Sequence, residues 1–192
     1  MKITPYWPND TTYFLTGTCF LHYPYFKEDA QKQILLNQIK KVEEELHIPI
    51  SAYSITINHY HIKFYLDKGI ELAKVRQVIH GGTSFQYRKT NKMAHKEMWQ
   101  GSKALRITDE EMDWKVTGYI IGNLLKHKEV NTFEELNENR FSSYKDTVEE
   151  FGEEMARDLV YSVIDLEEDV EKGLDLEGLK GAKAPKPSAK AG

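Results

Sequence analysis

Residues 50–66 read ISAYSITINHYHIKFYL. In its first half Tyr53, Ile55 and Ile57 recur at odd positions. In its second half Ile62, Phe64 and Leu66 recur at even ones. Successive side chains of a strand point to opposite faces, so one flat strand cannot change the parity of its apolar set. A turn or bulge near Asn58–Tyr60 is therefore required, and the stretch divides into strands over 50–57 and 61–66.

Working outward, residues 12–22 are rich in β-branched and aromatic types and predict a strand closed by Pro24. Residues 27–47 predict a helix stopped by Pro49, and residues 69–92 another, loosened at Gly81-Gly82. A fourth strand is expected over 98–107. A helix is expected over 109–128, with Asp109 as its cap and acids at 110 and 111 in its first turn. The order β-α-β-β-α-β is that of the ferredoxin-like split βαβ motif. The expected class is α+β, an antiparallel sheet with helices on one face. Residues 131–144 read as a loop with a short helical turn. Residues 145–172 read as one acidic amphipathic helix with the stripe Val148, Phe151, Met155, Leu159, Val163 and Leu166.

The 192-residue chain carries a net charge of −4, which at first sight argues against a nucleic-acid partner. The charge is not evenly spread. Residues 1–130 hold 18 basic and 14 acidic side chains, whereas 131–192 hold 8 and 16. A mildly basic body thus precedes an acidic segment. The single cysteine, Cys19, excludes an intrachain disulfide framework and a Cys-rich zinc site. There is no run of about 18 apolar residues to span a membrane, and the first residues lack a signal-peptide pattern, so a cytoplasmic protein is expected.

Two features bear chemistry. His59 and His61 stand at i, i+2 on an extended segment, so both imidazoles point to one side and can reach one divalent ion. Two surface histidines beside a turn would give the same pattern. On a helical wheel Tyr119 is centred on the polar face of the 109–128 helix, with Met112, Lys115, Asn123 and Lys126 near it. An ordinary amphipathic helix with a surface tyrosine fits that wheel as well. Taken together, a divalent ion could polarise a phosphodiester and a phenol could attack it, leaving a covalent phosphotyrosine.

The chain resembles the HUH single-tyrosine transposases, in particular the REP-associated tyrosine transposases and their insertion-sequence relatives. The resemblance runs, in order, through YFLTGTCF (13–20), AYSITINHYHIKFYL (52–66), HGGTSFQYRKTNK (80–92), MWQ (98–100), GYIIGNLLKHKEV (118–130) and FSSY (141–144). It implies a metal ion, Mg2+ or Mn2+, on His59 and His61, a nucleophile at Tyr119 and a metal-ligating or metal-facing amide at Asn123. It also implies cleavage and transfer of single-stranded DNA near a hairpin through a 5′-phosphotyrosine. A non-catalytic nucleic-acid-binding regulator on the same fold is the alternative. Relatives often carry Pro after the asparagine; Leu124 stands here, which would let the helix run on. On this reading 1–144 is the catalytic domain, 145–177 an acidic helical appendage and 178–192 a flexible tail. Related enzymes work as homodimers or as monomers. DNA contacts are expected from Arg76, Arg88, Lys89, Lys92, Lys103 and Arg106, with salt-sensitive binding. Tyr87, Trp99 and Trp114 are either core residues or platforms for unpaired bases.

Overall fold

A computed structural model describes residues 7–164 and, in backbone alone, 168–169 and 173–174. The chain divides into two compact units, the first ending at Ile107 and the second beginning at Thr108. None of the helices among the described residues is long and apolar enough to cross a membrane.

The first unit is built on four strands: β1 (Thr11–Cys19), β2 (Ile50–Ile55), β3 (His59–Leu66) and β4 (Trp99–Arg106). Their order is β2-β3-β1-β4, with every neighbouring pair antiparallel. This is the split βαβ arrangement expected from the parity change. The change of face is made by a tight turn over 56–58. The Thr56 N–H donates to the His59 carbonyl (2.9 Å), and the Thr56 hydroxyl accepts from the His59 N–H (3.1 Å). Strand pairing therefore starts at His59, two residues earlier than the apolar pattern indicates.

One face of the sheet carries Tyr13, Leu15, Tyr60, Ile62 and Phe64, all fully buried. Helix α1 (Asp29–Leu46) covers this face with Leu35, Ile39 and Val42. Each such aliphatic contributes about 1.5–3 kcal/mol by leaving water. The N-terminus of α1 is closed by a capping box between Glu28 and Gln31, and its C-terminus by left-handed His47 ahead of Pro49. The second helical layer begins at Gly69 and runs through α2 (Leu72–Arg76), one π turn (Gln77–Gly81) and α3 (Gly82–Thr90). The loosening expected at Gly81-Gly82 is this π turn. Gly82 lies where a Cβ would strike the side-chain amide of Gln38 on α1, so it lets the two helices approach.

Strand β1 is shorter than the 12–22 expected. It stops at Cys19, and a 3-10 turn follows in which Leu21 and His22 are left-handed, with φ of 51° and 53°. Pro24 then holds Tyr23 extended.

The second unit holds α4 (Glu110–Ile121), α5 (Asn123–Lys126), α6 (Phe133–Glu138), α7 (Tyr144–Phe151) and α8 (Glu153–Tyr161). Asp109 caps α4 by accepting from the Met112 N–H (2.9 Å), as its position implies. The helix expected over 109–128 forms as two segments. Gly122 flattens to φ −86°, ψ −3° where α4 gives way to α5. Backbone bonds from the Gly122 N–H to the Gly118 carbonyl (3.0 Å) and from the Lys126 N–H to the Gly122 carbonyl (3.1 Å) carry the coil on through Leu124, and left-handed Lys128 ends it. The single helix expected over 145–172 is two helices. Gly152, at φ 89°, separates them, since only glycine takes that conformation without strain. The break leaves Phe151 exposed while Leu159 and Val163 are buried; Leu166 lies outside the described residues. Helices α4 and α8 pack closely where Gly118 meets the backbone of Leu159, so the expected boundary at 144/145 falls inside this unit.

Candidate active site

The histidine pair sits on central strand β3 and points to the sheet face opposite α1. Direct cross-strand neighbours fix this: Thr18 opposes His59 and Thr16 opposes His61. The two imidazole centroids are 4.9 Å apart with ring planes 65° from parallel. Each ring is held through Nδ1. His61 Nδ1 is hydrogen-bonded to the Thr16 hydroxyl at 2.9 Å. His59 Nδ1 lies 2.8 Å from Asn58 Oδ1 and 2.8 Å from Thr56 Oγ1. Asn58 gives its amide hydrogen to the His22 carbonyl, and Thr56 gives its hydroxyl hydrogen to the His59 carbonyl, so both oxygens accept here. His59 is therefore the Nδ1–H tautomer. With both Nδ1 atoms engaged, the Nε2 atoms are the ones that can take a metal ion. Oxygen partners on the far nitrogen are what orients metal-binding histidines.

Tyr60, between the two, points the other way. Its hydroxyl bonds His80 Nε2 at 2.9 Å, and His80 stacks on Trp99 with centroids 4.3 Å apart and planes 10° from parallel. The Trp99 Nε1–H donates to the His80 carbonyl (3.1 Å). Burial, with the Arg76 guanidinium adding to it, pushes the His80 imidazole down to about 4. Burial pushes the Tyr60 phenol up. Gly17 on β1 is required by this cluster, because a Cβ there would collide with the rings of Tyr60 and His80. The neutral Tyr60–His80–Trp99 stack thus pins the strand that carries the histidine pair. Cys19 is a buried core thiol raised by desolvation, matching the small core role its apolar strand suggests.

In the second unit Tyr119 is only 2% exposed, although the wheel puts it on the polar face. The correction has a plain cause: α4 is buried at every position from Lys115 to Ile121, so its polar side is not a solvent side. Lys115, one turn before Tyr119, is also buried and pairs with Glu111 at 2.7 Å. Asn123 is fully buried in the short α5. Lys126, at the end of α5, places Nζ 5.1 Å from the centroid of the Tyr119 ring. His127 follows at the helix end, where partial desolvation holds its imidazole below the usual range.

The basic residues separate. Lys103 opposes Thr16 and so shares the sheet face of His61, and it is exposed. Arg106 opposes Tyr13 and belongs to the helix-covered face at the exposed edge. Arg88 and Lys89 are exposed on α3, with Lys92 just beyond it. Lys89 sits over the ring of Phe85, itself 59% exposed. Arg76 is drawn inward, its guanidinium 5.3 Å from the Trp7 ring centroid. Tyr87 is core, packed edge-on against Tyr25 and Phe26. Trp99 serves the His80 stack, and Trp114 meets Phe151 edge-on.

Among the described residues there is no cluster of three or more His, Cys, Asp or Glu side chains fit to hold a metal. What the fold brings together there is two imidazoles on one strand. Sequence reading did not single out Thr16 and Thr56; their signal is a threonine opposite one histidine and another three residues before its partner.

The antiparallel split βαβ sheet carries the H-x-H pair on a central strand, and Tyr119 and Asn123 follow on the successive helices α4 and α5. The family described as IS200-like transposase matches residues 12–123, and the chain belongs to it. The fold is similar to that of a REP-associated tyrosine transposase bound to a REP hairpin. The likeness has a TM-score of 0.63 at 20% identity, over 78% of this chain and 86% of that one. A Deinococcus radiodurans protein named as a candidate transposase is more distant, at 14% identity and TM-score 0.43, over 62% of this chain and 95% of that one. No curated protein matches.

Proposed function

We propose that this chain cuts and rejoins single-stranded DNA at hairpin-flanked sites, using Tyr119 as the nucleophile and His59 and His61 as ligands for a divalent ion. The observation that carries the reading is the Nδ1 anchoring of the pair by Thr16, Thr56 and Asn58, which fits two imidazoles prepared for one cation. Asn123 offers an amide oxygen as a further ligand. Mg2+ or Mn2+, when bound, would polarise the scissile phosphate and neutralise charge on its oxygens.

The tyrosine chemistry balances without an external energy source. The Tyr119 phenol loses its proton to water and its oxygen attacks phosphorus. The P–Oη bond forms as the P–O3′ bond breaks, and the departing 3′ oxygen takes a proton from water. The product is a 5′-phosphotyrosine and a free 3′-OH, and attack by a 3′-OH on that link reseals the strand without ATP. Lys103 on the His61 face, and Arg88, Lys89 and Lys92 at α3, supply phosphate contacts. Support for hairpin DNA comes from the similar REP-associated transposase, which is bound to one.

The test incubates the full chain with Mn2+ or Mg2+ and hairpin-bearing single-stranded oligonucleotides of varied flanks. A covalent adduct that is lost in Tyr119→Phe, with hairpin binding retained, supports the reading. His59→Ala and His61→Ala should remove the metal dependence. Tight hairpin binding with no adduct on any substrate would instead make the protein a DNA-binding regulator.

A further inference from the structure

Lys126 has no place in the scheme above, yet its ammonium is held against the tyrosine. Its Nζ lies 5.1 Å from the Tyr119 ring centroid. The position follows from helical geometry. Backbone bonds from the Gly122 N–H to the Gly118 carbonyl (3.0 Å) and from the Lys126 N–H to the Gly122 carbonyl (3.1 Å) keep the helical phase across Gly122. Seven residues on from Tyr119 is nearly two full turns, so Lys126 returns to the same side. Side chains on a helix lean toward its N-terminus, so a long lysine stem reaches back over the ring rather than away from it. Helix α5 is short and ends directly after Lys126, with left-handed Lys128 turning the chain away.

The surroundings make this contact matter. Gly118, Gly122, Val160 and Val163 border the same recess as Tyr119 and Lys126, so one side of the ring is lined by aliphatic groups and backbone. Gly122 contributes space: a Cβ there would press on the Val160 side chain. In a dry setting a cation at a ring face attracts it more strongly than in water. It also favours the phenolate over the phenol, because the negative charge of the ionised oxygen is spread into the ring that the cation faces.

We propose that Lys126 is the electrostatic positioning residue of the nucleophile: its ammonium clamps the Tyr119 ring and promotes ionisation of the phenol. This rests on the reading of Tyr119 as the nucleophile. Lys126 neither gives nor takes a proton in this scheme. The phenol proton goes to water, and the bonds made and broken at phosphorus are those given above. The lysine changes the ease of the first step and not its stoichiometry.

The experiment compares the wild type with Lys126→Met, which keeps the stem and removes the charge, and Lys126→Arg, which keeps the charge. In full-length protein labelled with 3-fluorotyrosine, the Tyr119 fluorine resonance is identified by its loss in Tyr119→Phe and followed against pH. The expected result is ionisation at higher pH in Lys126→Met than in the wild type, with Lys126→Arg restoring most of the difference. Adduct formation near neutral pH should fall about tenfold in Lys126→Met, its pH–rate profile should move to the alkaline side, and hairpin affinity should change little. Coincident titrations in wild type and Lys126→Met overturn the proposal, even if the variant is less stable. A displaced titration with no adduct in the wild type supports the Lys126–Tyr119 coupling and overturns the nucleophile reading instead. A Lys126→Met variant that fails to fold leaves Lys126→Gln and Lys126→Arg to decide by the same titration.

Discussion

Asn58 Oδ1 accepts a hydrogen bond from His59 Nδ1 at 2.8 Å, while the same amide donates to the His22 carbonyl at 3.1 Å. The orientation of this amide, together with the Thr56 hydroxyl, therefore fixes the tautomer of His59. It also ties the ring to the strained Phe20–His22 turn, where two consecutive non-glycine residues are left-handed. Strain of this kind persists only where surrounding contacts hold it, and here the carbonyl it presents is what holds Asn58.

Asn58→Ala should leave the fold intact and weaken divalent-ion binding by about 10–100-fold, the usual cost of losing an outer-shell partner of a metal-binding histidine. Thr16→Val should act the same way through His61, and Asn58→Asp should lose less than Asn58→Ala, because the acceptor is kept while the amide's bond to the His22 carbonyl is lost. Titration calorimetry with Mn2+ on the full chain measures all three. Affinities equal to the wild type in Asn58→Ala and Thr16→Val would show that ring orientation does not depend on these bonds.

Gly118→Ala tests the second unit. An alanine gains about 1 kcal/mol over glycine inside a helix. Here its Cβ would lie within van der Waals overlap of the Leu159 carbonyl on α8, and backbone cannot yield as a side chain can. Overpacking of this kind costs about 1–3 kcal/mol, so the net effect is destabilising or near zero at best. Gly101→Ala, on the exposed edge strand with nothing near its Cβ, should be neutral. Urea unfolding of the two variants compares them, and the Gly118 variant should have the lower midpoint.

Much of this was legible in the sequence because it depends on local periodicity. The odd-to-even change at 55–62 decides the strand pair and hence the sheet, and the Asp109 cap decides the start of α4. The side on which His59 and His61 sit follows from parity alone. What escaped reading has a tertiary cause. A helical wheel separates polar from apolar sides but does not say which polar side is covered, so Tyr119 reads as a surface tyrosine and is buried. Arg76 reads as one of a basic set, and only the fold turns it onto Trp7. The apolar stripe continues on both sides of Gly152, so periodicity alone reads one helix where a glycine at φ 89° separates two.

The separation of the basic residues gives distinct expectations for Lys103 and Arg76. Lys103 is exposed on the face that carries His61, so Lys103→Ala should weaken hairpin binding and lower the slope of log affinity against log salt by about 1. Arg76→Ala should leave that slope unchanged and cost about 1 kcal/mol of stability through its lost ring contact. Salt-series binding by fluorescence anisotropy, beside urea unfolding, distinguishes a phosphate contact from a packing contact. A comparable loss of slope in the Arg76 variant would reverse the assignment.

His80 should make the first unit sensitive to acid. Its imidazole is held near 4 by burial, whereas in the unfolded chain it titrates near 6.5. The folded state thus binds fewer protons than the unfolded state between these values. The stability that comes from keeping His80 neutral is complete above about pH 6.5 and is lost progressively as pH falls toward 4. The whole span is worth about 3 kcal/mol, since a tenfold difference in proton affinity between the two states corresponds to about 1.4 kcal/mol. His80→Gln removes the titration while keeping a polar partner for the Tyr60 hydroxyl. It also gives up the stack on Trp99, so it should be less stable than the wild type at pH 7. Its stability should nevertheless fall less steeply between pH 6.5 and 4.5, because the buried imidazole no longer contributes to the slope. Urea midpoints at pH 7, 5.5 and 4.5 give the two slopes. Parallel curves would locate the acid sensitivity outside the Tyr60–His80–Trp99 stack, and a flatter curve for the variant would place it in the stack that backs the histidine pair.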